Sequence, residues 1–268
     1  MNKIFSNIIN SFKYEPENKY TFNLAPSNST NEDNKIKPSL IIGTSMGALV
    51  GGMYAAGKTP QEMTNMASNF NSIGNFSLTA ALFRGNLLNI TKTEKILKEN
   101  LGTKTFDSLN TKFVAVATNM QTGKQHLFDS GLVIDGVMAS IAIPGMFPFV
   151  EVDGVKYCDG GVVNNLAEDV AKVLMPDAVI VSVDVLGNYA DQIETLKLKT
   201  MENFVNTLTI MMTNQIASRP QCADVRISIT QPETSQFDFT GKTAVETIKR
   251  GEEFALKYIK EIKKLLKN

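Results

Sequence analysis

Residues 40–52 read LIIGTSMGALVGG, and this stretch constrains the fold more than any other. Leu40-Ile41-Ile42 has the apolar density of a strand buried on both faces. The small residues after Ser45 suit a helix. A buried strand that turns straight into a helix needs further strands beside it and helices over it. Ser45 stands in that turn between Gly43 and Gly47. A sharp turn brings its backbone close to neighbouring elements, which favours glycine on both sides. Ser45 then sits at the exposed apex, at a helix N-terminus whose amides and dipole favour developing negative charge. Strand, Gly-x-Ser-x-Gly and helix in this order form the nucleophile elbow. A serine that merely caps its helix is the competing reading. G-x-G-x-x-G does not occur, and the one match to G-x-x-x-x-G-K-[ST], Gly52–Thr59, overlaps the expected helix Ser45–Ala56 instead of forming a loop between a strand and a helix, which argues against a nucleotide phosphate.

Further β-like runs appear at Phe113–Ala117, Ala178–Val185 and Val225–Ile229. Helical segments are expected at Ser45–Ala56, Pro60–Phe70, Thr93–Leu101, Asn165–Leu174, Ile193–Ala217 and Ala244–Lys267. The alternation implies an α/β fold with a mainly parallel central sheet covered on both faces. One local exception is expected: Asp153-Gly154, between two alternating runs, is a two-residue hairpin signal. Residues 14–37, rich in Asn, Ser, Glu, Lys and Pro, read as a loop or linker.

Lysine plus arginine equals aspartate plus glutamate at 27 each, so no net field draws in nucleic acid. Cys158 and Cys222 stand far apart without CxxC spacing, which argues against a zinc site or disulfide framework and for a reducing cytoplasm. No run approaches the roughly 18 apolar residues of a membrane span. Ile4, Phe5, Ile8, Ile9 and Phe12 share one helical face, read as docking on the domain, with a membrane-surface anchor as the alternative. Lys257, Lys260, Lys263, Lys264 and Lys267 fall mostly on the outer face of the last helix, read as solvated. Two apolar sets, Asn75–Leu88 and the stripe Met201, Phe204, Val205, Leu208, Met211 and Met212, are read as ordinary core; an acyl pocket or mobile cover is the alternative.

A serine nucleophile needs a base. His126 is the single histidine, and its strand-like surroundings place it facing solvent. The carboxylate that stands out is Asp159 in Cys158-Asp159-Gly160-Gly161, where a strand meets two glycines. An ordinary turn-forming aspartate is the competing reading.

GTSMGALVGGMYAAG followed by ASIAIPGMFPFVEVDGVKYCDGGVVNNLAEDVA resembles the bacterial patatin-like phospholipase family, from about Pro38 into the final helix. The resemblance implies a three-layer α/β/α hydrolase working with a Ser–Asp dyad and without metal or cofactor. Carried onto this chain, Ser45 is the nucleophile and Asp159 the proton acceptor, with Gly43, Met46, Gly47, Gly160 and Gly161 as motif and oxyanion candidates. A lipid or acyl-ester substrate and peripheral membrane contact follow; the oligomeric state is left open. One departure matters. The family pattern opens with a strand and a glycine-rich loop that supplies oxyanion donors, whereas residues 1–37 contain no glycine. Residues 1–37 are therefore read as a divergent N-terminal segment and 38–268 as the hydrolase domain. The leading function is serine-dependent lipid acyl-ester hydrolysis; a catalytically impaired relative that binds lipid or a partner is the alternative.

Overall fold

The computed structural model describes residues 36–69, 90–145, 147–187, 200–229 and 241–267. The segments MNKIFSNIINSF and Asn75–Leu88, and the side chains of Met201, Phe204 and Val205, lie outside them.

The elbow strand β1 (Leu40–Thr44) runs directly into helix α1 (Met46–Ala55), followed by α2 (Pro60–Asn69) and α3 (Ile90–Leu101). Strands β2 (Lys112–Asn119) and β3 (Lys124–Phe128) form a hairpin, and α4 (Val133–Ser140) leads to the hairpin β4 (Val150–Val152) and β5 (Val155–Asp159). Then come α5 (Glu168–Leu174), β6 (Val181–Asp184), α6 (Thr200–Ser218), β7 (Val225–Ser228) and α7 (Gly241–Leu265). The arrangement is α/β. The pairs β1–β2 and β6–β7 are parallel, each joined through helices; β1 is only partly buried, with Gly43 its one fully buried residue. The hairpins add antiparallel pairs, so the larger sheet is mixed. At the β4–β5 turn both Asp153 (φ 49°) and Gly154 (φ 76°) are left-handed, the conformation a two-residue Asp-Gly hairpin demands.

Helix α4 went unread in the sequence. Its residues Val133, Ile134 and Gly136–Ser140 are all buried, so it lacks the polar face that produces a 3.6-residue period. It packs on β2, β5 and α1 within a core that includes Met53, Leu97, Phe106, Phe113, Phe128, Val137 and Tyr157. A second core joins Ile36, Val181, Val225, Ile227 and Ile262 under α7. Lys257, Lys260, Lys264 and Lys267 face outward as expected, whereas Lys263 is half-buried. No described helix is long and apolar enough to cross a membrane.

The register of β2 positions everything that follows. β1 lies parallel to it, ending with Thr44 opposite Val116. β5 lies antiparallel to it, ending with Asp159 opposite Ala117. β3 covers β2 from Ala115 to Asn119, overlapping both partners, so β1 and β5 must share the opposite edge. Two strands therefore meet head-on along one edge of β2, and their ends carry Ser45 and Asp159.

Candidate active site

Ser45 has φ 55° and ψ −122°, a conformation that costs a non-glycine residue of order 1–3 kcal/mol. Strain of this kind persists only where the surroundings impose it. The Ser45 N–H donates to the Ser140 hydroxyl (2.8 Å), and the Ser45 carbonyl accepts from the Ala48 and Leu49 amides as α1 begins. Ser45 occupies the N-cap position, yet its side chain caps nothing. The hydroxyl is thus not engaged by its helix, which disfavours the simple capping reading. The first amides of a helix have no intrahelical acceptor, which leaves the Met46 and Gly47 N–H groups without one at the start of α1. Met46 is 48% exposed, so this corner of the elbow opens to solvent.

The flanking glycines behave differently from each other. A Cβ on Gly43 would lie 2.4 Å from the Gly47 carbonyl oxygen, a clash with backbone. A Cβ on Gly47 would meet nothing within 4 Å. Close approach therefore demands glycine at 43 only, a correction to the symmetric reading of the motif.

Asp159 is wholly buried at the end of β5. Its two oxygens are not equivalent. Oδ1 accepts from the Gly161 N–H (2.7 Å), the capping bond of a turn-forming aspartate. Oδ2 is buried and has no partner of ordinary hydrogen-bond geometry. Burial pushes the carboxyl pKa up to about 6, against the pull of the nearby Ser45 side chain and the Gly161 amide. The Ser45 side chain is thus near the carboxyl, although Oδ2 accepts no hydrogen bond. Gly160 is held against β2: a Cβ there would fall 2.1 Å from the Val116 carbonyl oxygen. At Gly161 a Cβ would meet the Asn165 and Met212 side chains, placing α6 beside the turn.

His126 is half-buried rather than turned out to solvent. It sits on β3, across β2 from Asp159, with its ring against Phe128 and Tyr157 (centroids 4.5 and 4.9 Å). Burial lowers its pKa, against the nearby Asp129 charge. The apolar surround explains both facts: a strand that looked amphipathic has its histidine on the aromatic side. Both cysteines are free, and burial raises the Cys158 thiol to about 11.

A strand, a Gly-x-Ser-x-Gly turn and a helix, with a buried carboxylate at the end of a strand on the same edge of β2, give the α/β arrangement in which nucleophile elbows occur. Residues 20–172, more than half of the chain, match the sequence model of the patatin-like phospholipases, and the chain belongs to that family. An uncharacterized NTE family protein of Mycobacterium tuberculosis is 35% identical over 134 residues, 47% of this chain and 35% of the relative. A patatin-like phospholipase domain-containing protein of Caenorhabditis elegans is 28% identical over 206 residues, 69% of this chain and 15% of its own length. A lysophospholipase of Emericella nidulans is 27% identical over 158 residues, 58% of this chain and 10% of the relative. The chain thus spans about a third of the mycobacterial relative and less of the others.

Proposed function

We propose that this chain hydrolyses acyl esters of lipids through a Ser45–Asp159 dyad. The observation that carries the reading is the buried, unpartnered Asp159 Oδ2 beside a strained Ser45, both delivered to one edge of β2. A carboxylate lifted to about 6 is a stronger base than an ordinary aspartate near 3.9, yet is still mostly ionised at neutral pH. The Ser45 hydroxyl oxygen attacks the ester carbonyl carbon while its proton passes to Asp159 Oδ2. Negative charge gathers on the former carbonyl oxygen, where the Met46 and Gly47 amides and the α1 dipole favour it. Collapse breaks the ester bond, and Asp159 returns the proton to the leaving alkoxide. Water then attacks acyl-Ser45 while Asp159 takes its proton; the acyl–oxygen bond breaks, Asp159 passes the proton to the Ser45 oxygen, and the fatty acid leaves. In this reading residues 38–268 are the hydrolase domain and 1–37 a divergent segment. The substrate brings the chain to the periphery of a membrane, and its two free cysteines suit the cytoplasm.

The test is hydrolysis of a short-chain p-nitrophenyl ester and of a phospholipid, beside Ser45→Ala prepared identically. Loss of turnover in the variant supports the dyad. Equal background rates, with lipid binding retained, overturn it in favour of a non-catalytic lipid binder.

A further inference from the structure

The end of helix α4 touches both halves of the site from beneath. The Ser140 hydroxyl accepts from the Ser45 N–H at 2.8 Å and donates to the Val116 carbonyl at 2.6 Å. Two residues on, the Ala142 carbonyl accepts from the Asp159 N–H at 2.9 Å. Val116 is the β2 residue at which β1 stops, and its carbonyl is also the atom that Gly160 is packed against. As Ser45 swings out of the sheet, a hydroxyl bridges the gap between its amide and β2. Ser140 and Val116 are fully buried, so the Val116 carbonyl has no water as a substitute for this hydroxyl.

We propose that Ser140 is a positioning residue for hydrolysis: its side chain holds the Ser45 backbone in the strained conformation that aims both the nucleophilic hydroxyl and the Met46 amide. The proposal rests on the dyad reading. Both functional groups hang from the Ser45 Cα, so a single anchor on its amide sets them together. Ala142 holds Asp159 in the same frame, which makes residues 140–142 a clip across the dyad. Without the Ser140 hydroxyl, Ser45 is free to relax towards negative φ. The hydroxyl would then swing away from Oδ2, and misplacement of about 1 Å at a reacting centre costs on the order of 10²-fold in rate.

The experiment measures phosphonylation of Ser45 by a fluorophosphonate, and kcat and KM on a p-nitrophenyl ester, for wild type, S140A, S140T and S140C. All are compared well below their thermal midpoints. Slowing of about 10–100-fold is expected for S140A, in kcat rather than KM, with recovery in S140T, which keeps the hydroxyl. The pH midpoint of activity is expected to stay in place, because Asp159 is untouched; a merely structural loss of the core would move it. Labelling of S140A at the wild-type rate overturns the proposal. Where S140A does not fold, S140C decides, because sulfur keeps the volume and weakens the bond: slowed labelling supports the anchor and an unchanged rate overturns it. A wild-type chain that neither labels nor hydrolyses fails the dyad reading itself, and the positioning role falls with it.

Discussion

Two buried carboxylates nine residues apart are treated in opposite ways. Asp159, in the turn after β5, has one amide on Oδ1 and nothing on Oδ2. Glu168, at the start of α5, is saturated. Its Oε1 and Oε2 each take a bond from the Arg226 guanidinium at 2.7 Å, the Ser182 hydroxyl adds another, and the Cys222 and Ala223 amides complete the set. Burial raises both carboxyls, but at Glu168 the Arg226, Ser182 and backbone donors outweigh it and hold the pKa below the ordinary range. Burial wins at Asp159. The difference separates structure from chemistry: a charge fully satisfied ties α5 to β6 and β7, whereas a charge left short of partners can take a proton.

Activity breaks the comparison most sharply. Asp159→Asn removes the proposed base but keeps an oxygen for the Gly161 amide. Ester hydrolysis is expected to fall by about 10³-fold or more, at the upper end of what a general base supplies. The far-ultraviolet spectrum should stay native. Full activity in this variant would remove Asp159 from the chemistry. The corresponding change at Glu168 strikes stability. Arg226→Met strands a buried carboxylate, and breaking such a pair costs about 3–5 kcal/mol, readable as a lower urea midpoint. Replacing Glu168 by Gln as well should recover part of the loss, because no buried charge is then left unpaired and a side-chain oxygen remains for the Ser182, Cys222 and Ala223 donors. A double variant as unstable as the single one would show that the pair matters for shape alone.

The pH dependence sharpens the same contrast with a smaller effect. Asp159 titrates near 6 when folded and near 3.9 when unfolded, so between those values the native state holds more protons. Its contribution to stability is therefore greatest below about 4 and declines as pH rises to about 6. The total is at most about 3 kcal/mol, from 1.4 kcal/mol per pH unit. Glu168 has the opposite sign: the stability it adds is present above its unfolded pKa and lost as pH falls through its lowered folded value. The difference in unfolding free energy between wild type and Asp159→Asn should widen from pH 4 to pH 6.5, in favour of the variant. Over the same range wild-type turnover should rise through about 6 to a plateau. A difference that stays flat with pH would mean that Asp159 is not destabilised as a carboxylate.

What could be read from the sequence follows from how local each signal is. The elbow and the Asp-Gly-Gly turn carry their information within a few residues, so Ser45 and Asp159 stand out. Their meeting depends on register along β2, which brings together residues 114 positions apart and has no local trace. Ser140 was missed because a serine in an apolar run looks like a tolerated core residue; only its distance from Ser45 gives it meaning. Glu168 and Arg226 look like ordinary surface charges until α5 and β7 are placed side by side. The division of the described strands between two sheets was also hidden, since β6 and β7 have the same apolar look as β1 and β2.

The smallest effect belongs to the second of the two elbow glycines, which the motif presents as equals. Gly43→Ala drives a methyl group into the Gly47 carbonyl and should collapse the turn. Gly47→Ala places a methyl group in open space on the first turn of α1. There alanine is the better helix former, and a gain of about 0.5–1 kcal/mol is expected, a rise of roughly 1–4 °C in Tm. Packing therefore gives no reason for glycine at position 47, and its exposure beside the Met46 amide leaves one to be sought in the substrate. If Gly47→Ala raises Tm and keeps full turnover, the position is free of function. If it raises Tm but loses turnover on a phospholipid more than on a p-nitrophenyl acetate, the space above Gly47 is where the larger ester must lie.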